Sequence, residues 1–454
     1  MKRKESPTKA QTPSKKARIE VPEYHLAAQV KEEDGSIQWP APRAQMERAR
    51  EMIQDCVAKN AKTLIVPDKD ADGLSSGAIL RHTLGLMGLP PDKIEVHLLT
   101  KGNTIHSEEE RQRMAAHNPD YIFVLDQGSR PGPPVIDPAH EALIIDHHHA
   151  TSTSFPPNSS HVTACDSPPV ATSSLLTYLL CLPLHPSVPS RCDWLCIVGT
   201  HGDLGNTLKW APPFPDMQAP LKRHTKKLLN DVVSLINAPR RTATYDVHSA
   251  WAALCDTPDP VSIPKNPRLL AARQEVNAEV ERCTHTAPKF SPDGKVAVFR
   301  INSAAQVHPV IATRWAGHLS SKALEIVMVA NEGYLAGKVN FSCRIPRCAR
   351  GREEPVDIIR SLKAYAGMRA PTDGEGEEKA PLIDRLGEDF ARGHVQASGG
   401  IVSVEEFEEL MQVMQIGVKA PKKEGEGASP SKTKKKAAID AGQKNNLMNY
   451  FGKG

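Results

Sequence analysis

The sequence predicts an α/β protein: a parallel-sheet N-terminal domain, a smaller α/β C-terminal domain, and basic tails. Three observations predict it. First, strand-length apolar runs end in acidic residues. Thr63-Leu64-Ile65-Val66-Pro67 runs into Asp68-Lys69-Asp70-Ala71-Asp72, Tyr121 to Leu125 into Asp126, and Ala142 to Ile145 into Asp146-His147-His148. Uninterrupted apolar strands are buried on both faces, as parallel strands are. Second, helical spacing follows the first run at Leu74, Ile79, Leu80, Leu84 and Met87, and helix and strand then alternate as in doubly wound sheets. Third, further strand signals come near 295–301, 324–330 and 335–341, after a helical stretch at 262–292.

The elements follow in order. Residues 1–40 read as a disordered basic arm and 41–62 as a helix entering the first strand. Ile94 to Leu99 is a second strand. Thr151 to Pro169 is a Ser/Pro-rich loop, and Thr172–Leu182 and Cys192–Val198 are buried helices. The run Leu195 to Gly199 ends a helix that leads into an acidic loop bearing Asp203. Val404–Gln415 is a final helix, and the Asp/Gly/Glu-rich stretch 371–379 is a surface insert. The expected divisions are a catalytic domain at 41–255, a linker at 256–292, a second domain at 293–417 and a Lys-rich tail at 418–454.

The chain has 454 residues, of which 39% are hydrophobic, enough for two packed cores. No apolar run approaches the length of a bilayer span, and the basic N-terminus lacks the apolar stretch of a secretory signal. Nine scattered cysteines show neither zinc spacing nor a disulfide framework. The net charge of +4 hides an asymmetry: residues 1–18 carry seven Lys/Arg against one acid, and 419–454 carry nine Lys against three acids. The remainder is acidic, so bulk charge does not predict a strongly basic groove.

A lone Asp at a strand end is usually a turn or cap residue. Four acidic segments in order, one of them Asp-His-His, point instead to a shared site at the carboxyl ends of the strands, where α/β sheets bind ligands. Carboxylates and imidazoles together suit hard divalent cations such as Mn²⁺ or Mg²⁺.

These four segments resemble, in order and spacing, motifs I to IV of the DHH phosphoesterase superfamily, over about Lys62 to Leu204. A second stretch, about Val296 to Glu409, resembles the DHH-associated C-terminal domain through His308-Pro309-Val310-Ile311-Ala312, the segment ending Phe341-Ser342-Cys343-Arg344, and Gly393-His394 through Gly399-Gly400. Small-substrate members usually carry His where this chain has Val66; Asp68, Asp70 and Asp72 at i, i+2, i+4 are similar to RecJ-like single-strand exonucleases. The resemblance implies two divalent metal ions held by Asp70, Asp72, Asp126, His147 and Asp203, with Asp126 bridging and Asp68 an additional group. It implies Asp146 as a ligand or as the residue orienting His147, and His148 as donor or leaving-group acid. It places a phosphate or terminal nucleotide on Arg344 and His394, with Gly399 and Gly400 giving a close backbone approach. His201 is read as either a residue behind Asp203 or a plain loop residue, and His149 as a surface residue.

The function implied is a 5′-to-3′ single-strand exonuclease in nuclear DNA metabolism. Larger RecJ proteins add an OB-fold module, for which nothing remains after the second domain here, so a short-oligonucleotide or small-molecule phosphoesterase is an alternative. A non-catalytic replication scaffold is another. The nuclear expectation rests on Lys2-Arg3-Lys4 and Lys15-Lys16-Ala17-Arg18, which resemble a bipartite localisation signal. Leu447, Tyr450 and Phe451 have the spacing of a sliding-clamp-binding peptide, with Lys444 where that peptide carries Gln.

Overall fold

A computed structural model describes residues 27–368, 380–387, 390–394 and 396–418. The basic clusters at 2–18, the insert at 371–379 and the peptide Leu447, Tyr450 and Phe451 lie outside the described residues.

The chain runs α1 (Arg43–Ala58), β1 (Thr63–Pro67), α2 (Ala71–Leu86), β2 (Ile94–Val96), α3 (Glu108–Ala116), β3 (Tyr121–Leu125), β4 (Glu141–Asp146), β5 (Ser159–Thr163), α4 (Ser173–Cys181), α5 (Val188–Leu204), α6 (Gln218–His224), α7 (Lys226–Asn237), α8 (Val247–Cys255) and α9 (Pro267–Cys283). The five strands form one parallel sheet in the order β2-β1-β3-β4-β5. Side chains alternate between its faces. Ile65, Phe123, Leu125, Leu143 and Ile145 meet the large core built with α1, α2, α4 and α5. Leu64, Val66, Ile122, Val124 and Ile144 face a smaller core with Met114 of α3. Both faces are therefore dry, which is why β1 and β3 read as continuous apolar runs.

β1 leads to β2 over one face through α2, and β2 leads to β3 over the other through α3, so the strand order reverses between β1 and β3. Ligands of open α/β sheets sit at such a switch point. The register aligns Pro67 with Leu125 and Leu125 with Ile145, so the acids that follow these strands emerge side by side. α2 shows no amphipathic stripe because it is enclosed by α4, α5, α8 and the sheet, with Ala71 to Leu80 buried continuously.

Three expectations are corrected. Residues 27–40 are not part of a disordered arm: Lys31 and Ile37 form a bridge, and the Trp39 indole donates to Pro169 O at 2.9 Å. The 151–169 segment is not only loop, since it contains β5, hidden in the sequence by flanking Ser and Pro. Asp203 lies on the last turn of α5 rather than in a loop.

α9 begins with an Asn266 cap and Pro267. Its Leu269 packs in the first core and its Val276, Val280 and Cys283 in the second. Then follow β6 (Lys289–Phe290), β7 (Val296–Ile301), α10 (His308–His318), β8 (Ile326–Leu335), β9 (Lys338–Arg344), α11 (Ile358–Ala366), α12 (Leu382–Arg385), β10 (Arg392–His394), β11 (Ala397–Ser403) and α13 (Val404–Val413). The sheet order is β10-β11-β9-β8-β7-β6, parallel only between β7 and β8, which α10 connects. α13 carries a full capping box, Ser403 with Glu406. All nine cysteines are free. Among the described residues no helix is long and apolar enough to cross a membrane.

Gly77 shows how tightly α2 is enclosed: a Cβ there would lie 2.8 Å from the Trp251 ring and 3.1 Å from Pro67 Cβ. Gly77→Ala is expected to destabilise the first domain by about 1–3 kcal/mol through overpacking, read as a lower urea midpoint; an unchanged midpoint would contradict this packing.

Candidate metal centre and interdomain cleft

The site is assembled from four chain segments. Asp70 caps α2, its carboxylate accepting from the N–H groups of Asp72 (3.1 Å) and Gly73 (3.3 Å). Gly73 is required there, because a Cβ would fall 2.6 Å from Asp68 O. Two residues further, Asp72 is fully buried and accepts from Ser173 N–H (2.7 Å) and Ser174 N–H (3.0 Å) at the start of α4. Asp126 follows β3 with φ +62°, a left-handed conformation that Asp tolerates better than most residues. Its Oδ1 accepts from Ser173 Oγ at 2.9 Å.

His147 brings these acids together. Its Nε2 lies 3.1 Å from Asp203 Oδ2, 3.3 Å from Asp126 Oδ1 and 3.9 Å from Asp72 Oδ2. Yet this buried nitrogen has no aligned hydrogen-bond partner. Asp146, at the end of β4, serves a different purpose. It accepts from His147 N–H (2.8 Å), from His148 N–H (3.3 Å) and from His148 Nδ1 (2.7 Å), and so fixes the Asp-His-His turn.

Sequence reasoning missed the residues that pack this site. Gly199 and Gly202 allow α5 to pass close by: a Cβ on Gly199 would meet Ser174 Oγ at 2.2 Å and Asp72 Oδ1 at 2.9 Å, and one on Gly202 would meet Ala71 Cβ at 2.9 Å. The pair Ser173-Ser174 opens an apolar helix just after Thr172, whose side chain caps it. That N-cap signature was the available signal. His201 is not behind Asp203; it is held by Asn230 (3.2 Å) and the Trp210 indole (3.3 Å), and burial pushes it down to about 4. His149 is exposed.

Electrostatics mark the cluster as short of positive charge. Burial, followed by repulsion from Asp203, pushes Asp72 up to about 7. Burial and then Asp72 push Asp126 well above the carboxylate range. Burial disfavours the His147 imidazolium, but Asp126 and Asp203 outweigh it and hold the ring well above its ordinary value. For His148, burial is likewise outweighed by the Asp146 hydrogen bond, which raises it to about 9. Asp146, although buried, is held low by His148.

These residues fit divalent cations. Ligand atoms of Asp72, His147 and Asp203 lie within 4.8 Å of one another, as do those of Asp68, Asp70 and Asp126, and those of Asp126, His147 and His148. Asp126 thus belongs to two of the three groupings. The unpartnered His147 nitrogen faces carboxylates that burial drives toward protonation, an arrangement a cation would relieve.

Across from the cluster stands the second domain. A cavity of about 380 Å³ is lined by Lys69, Asn103, Thr104, Gln306, His308, Tyr334, Gly399 and Gly400. The loop before α3 forms its roof. Buried Glu110 accepts from Thr100 N–H (3.1 Å) and Asn103 Nδ2 (2.9 Å) and pairs with His97 (2.7 Å). The same loop reaches the second domain, where Lys101 Nζ donates to Ala304 O (2.8 Å) and lies 4.2 Å over the Tyr334 ring. Arg240 Nη1 donates to Gln306 Oε1 (3.3 Å), and Gln306 N–H to Arg241 O (2.8 Å).

Arg344 ends β9 in a partly buried position, donating to Ser342 Oγ and Cys343 O, both at 2.9 Å. It lies near His308, which burial, then Arg344 and Arg241, push down to about 3. Gly399 and Gly400 make a close backbone approach to a neighbouring strand. They sit in β11, paired with Ser342 and Phe341, and Gly399 is required because a Cβ would fall 2.5 Å from Phe341 O. His394 is placed on β10; its side chain is outside the described part of the structure.

Comparison with known proteins agrees with this architecture. Residues 62–197 match the DHH family, N-terminal domain. RecJ from Thermus thermophilus in complex with Mn²⁺ has a similar fold (TM-score 0.56, 19% identity), the match covering 83% of this chain and 55% of that one. The chain therefore spans about half the length of that RecJ. A manganese-bound exonuclease RecJ matches with TM-score 0.53 and 18% identity over 82% of this chain and 93% of that one. The DHH domain of a member of a family of ribosomal proteins matches with TM-score 0.58 and 14% identity over 82% and 90%. No curated protein sequence matches. Residues 62–197 thus carry a DHH-family N-terminal domain, and the chain has a RecJ-like fold.

A proton-linked stabilisation by metal follows. Folded Asp72 and Asp126 hold protons above the unfolded Asp value of about 3.9, and His147 above about 6.5. The folded state then binds more protons than the unfolded one, so their ionisation lowers stability as pH rises. Bound Mn²⁺ must displace those protons. The rise in Tm on adding Mn²⁺ is expected to grow from about pH 6 to about pH 8 and to vanish in Asp126→Ala. His106, His201 and His308, held neutral by burial, contribute with and without the ion and cancel. A Tm rise that shrinks with pH would sink this account.

Proposed function

We propose that this protein is a metal-dependent phosphodiesterase that removes nucleotides from the end of a single strand. The observation that carries the reading is the convergence of Asp72, Asp126, His147 and Asp203 on a cleft whose far wall belongs to the second domain. Asp72, His147 and Asp203 would hold one divalent ion, Mn²⁺ or Mg²⁺, and Asp68, Asp70 and Asp126 a second, with Asp126 positioned to serve both. Such ions supply an activated water and neutralise the phosphoryl oxygens.

The chain's own groups do the rest. His148, charged through Asp146, donates its Nε2 proton toward the leaving oxygen of a phosphate in the pocket it lines with Asp68, Lys69, Asp126 and Asp146. The second domain, through Arg344, the wall at Gly399-Gly400 and His394, holds the terminal nucleotide and limits cleavage to an end. A cavity of about 380 Å³ is in the range of small-ligand sites, which favours one nucleotide in it at a time. The 5′-to-3′ direction and the single-strand substrate follow the likeness to RecJ. Work in the nucleus, and contact with a sliding clamp, rest on the basic clusters at 2–18 and on Leu447, Tyr450 and Phe451.

The deciding experiment is hydrolysis of end-labelled single-stranded DNA and RNA, long and short, with Mn²⁺. Stepwise release of mononucleotides from one end is expected. Asp126→Ala and His147→Ala should each lower kcat by at least about 10³-fold, as loss of metal chemistry implies. Cleavage of only the shortest oligonucleotides would favour a scavenging phosphodiesterase, and no cleavage of any strand would refute the nuclease reading.

His148 gives a pH test. A donor must be protonated, so activity should fall as pH rises through the His148 pKa, which lies at about 9 and lower once cations repel the imidazolium. Asp146→Asn removes the carboxylate that raises it, and the alkaline limb of kcat should move down by about one unit or more. An unmoved limb would remove His148 from the donor role.

A further inference from the structure

Basic side chains are unequally placed around the cluster. Among the described residues no Lys or Arg pairs with Asp72 or Asp203; their only ionic neighbour of opposite charge is His147. The outer acids are different. Lys69 Nζ lies 3.2 Å from Asp68 Oδ1, and Arg240 Nη2 lies 3.8 Å from Asp70 Oδ2. The two cations are held differently. Arg240 is also tied to Asn237 Oδ1 (3.0 Å) and Gln306 Oε1 (3.3 Å). Among the described residues Lys69 forms one ion pair, with Asp68, on a flexible stem, and its side chain is 32% exposed. It lines both the pocket that contains Asp126, Asp146 and His148 and the cavity that contains Gln306, His308, Gly399 and Gly400.

We propose that Lys69 and Arg240 are resident counter-cations of the outer acidic set, so that the two ion positions load unequally. This rests on the metal-dependent reading above. The inner set, Asp72, His147 and Asp203, has no Lys or Arg paired with it among the described residues, and takes a divalent ion once His147 gives up its proton. The outer set, Asp68, Asp70 and Asp126, already has two positive charges against it, and a dication arriving there meets their repulsion. A phosphoryl group entering the cleft offers Lys69 another anionic partner on the side away from Asp68. The ammonium then moves from carboxylate to phosphate, and Asp68 is released to the ion. Loading of the outer position is thereby coupled to a phosphate ligand, and by linkage the ion strengthens phosphate binding by the same factor.

The test is Mn²⁺ titration of the full chain by calorimetry, with and without thymidine 5′-monophosphate, for the wild type, Lys69→Gln, Lys69→Arg, Arg240→Gln and His147→Ala. The wild type should bind one ion tightly and a second at least about tenfold more weakly, and the nucleotide should tighten the second. Removing one charge from a partly exposed pair should tighten the second ion by about tenfold in the absence of nucleotide. Lys69→Gln should show that change and a blunted nucleotide effect, while leaving the first ion in place. Lys69→Arg should retain the wild-type gap, which a purely structural role for the side chain would not require. Arg240→Gln provides an independent second variant with the same expected direction. Two ions of equal affinity in the wild type, or an unchanged second ion in both neutralised variants, would overturn the proposal while leaving the metal centre standing. If no Mn²⁺ binds, or if His147→Ala leaves both ions in place, the metal-dependent reading fails and this inference with it.

Discussion

Asp72 is the constraint on which the rest of the site depends. A fully buried carboxylate is tolerated only when it is hydrogen-bonded or paired. Here two N–H groups at the start of α4 meet it from one side, and the partial positive charge of that helix end favours an anion. Those donors leave the Asp72 charge facing two other acids and an imidazole. A protein chain rarely buries so many carboxylates around one nitrogen without a cation to gather. The close packing around Asp72 follows from the same need. α5 must approach α4 closely enough to bring Asp203 to His147, and only glycine at 199 and 202 permits it.

The parallel sheet and the acidic cluster were legible because both arise from short, local patterns. Apolar runs ending in Asp specify strands buried on both faces with polar ends, and the reversal between β1 and β3 places Asp68 to Asp72 beside Asp126. Elements whose signal is tertiary were harder to read. β5 contributes Val162 to the core but is written Ser-Ser-His-Val-Thr among prolines, so composition outweighed its β-branched residues. Trp39 belongs to the body because its indole finds Pro169 O, a contact separated by 130 positions that no local pattern reveals. Gly399-Gly400 reads as a close backbone approach, and only the register with β9 shows that the carbonyl of Phe341 is what it approaches.

The second domain is held to the first through a few polar struts, and these are concentrated around the cleft. Glu110 is the anchor on one side. Fully buried, it satisfies Thr100, Asn103 and His97 together, and its carboxylate stays ionised because those donors outweigh burial. The loop it fixes then projects Lys101 onto Tyr334 and Ala304. Gly102 lies against Leu335, where a Cβ would come within 2.9 Å of the side chain. This loop therefore carries contacts from the first domain to the second at the cleft. Polar struts of this kind can separate at a modest free-energy cost compared with a hydrophobic seam.

An acidic protein body is compatible with the anionic substrate proposed above when its cations are placed locally. Bulk charge is a poor guide when the cations that matter are few and placed at one mouth. Lys69 lines both pockets, Arg240 pairs with Asp70 and reaches Gln306, and Arg241 and Arg344 lie within electrostatic reach of His308. Burial disfavours charge on Arg241 and Arg344, and Arg240 adds its repulsion at Arg241; a phosphate would relieve both effects. The carboxylates line one pocket, and Lys69 joins it to the cavity lined by Gly399 and Gly400. A metal-bound phosphodiester, the substrate class proposed above, carries charges that suit these carboxylates and the basic groups near them.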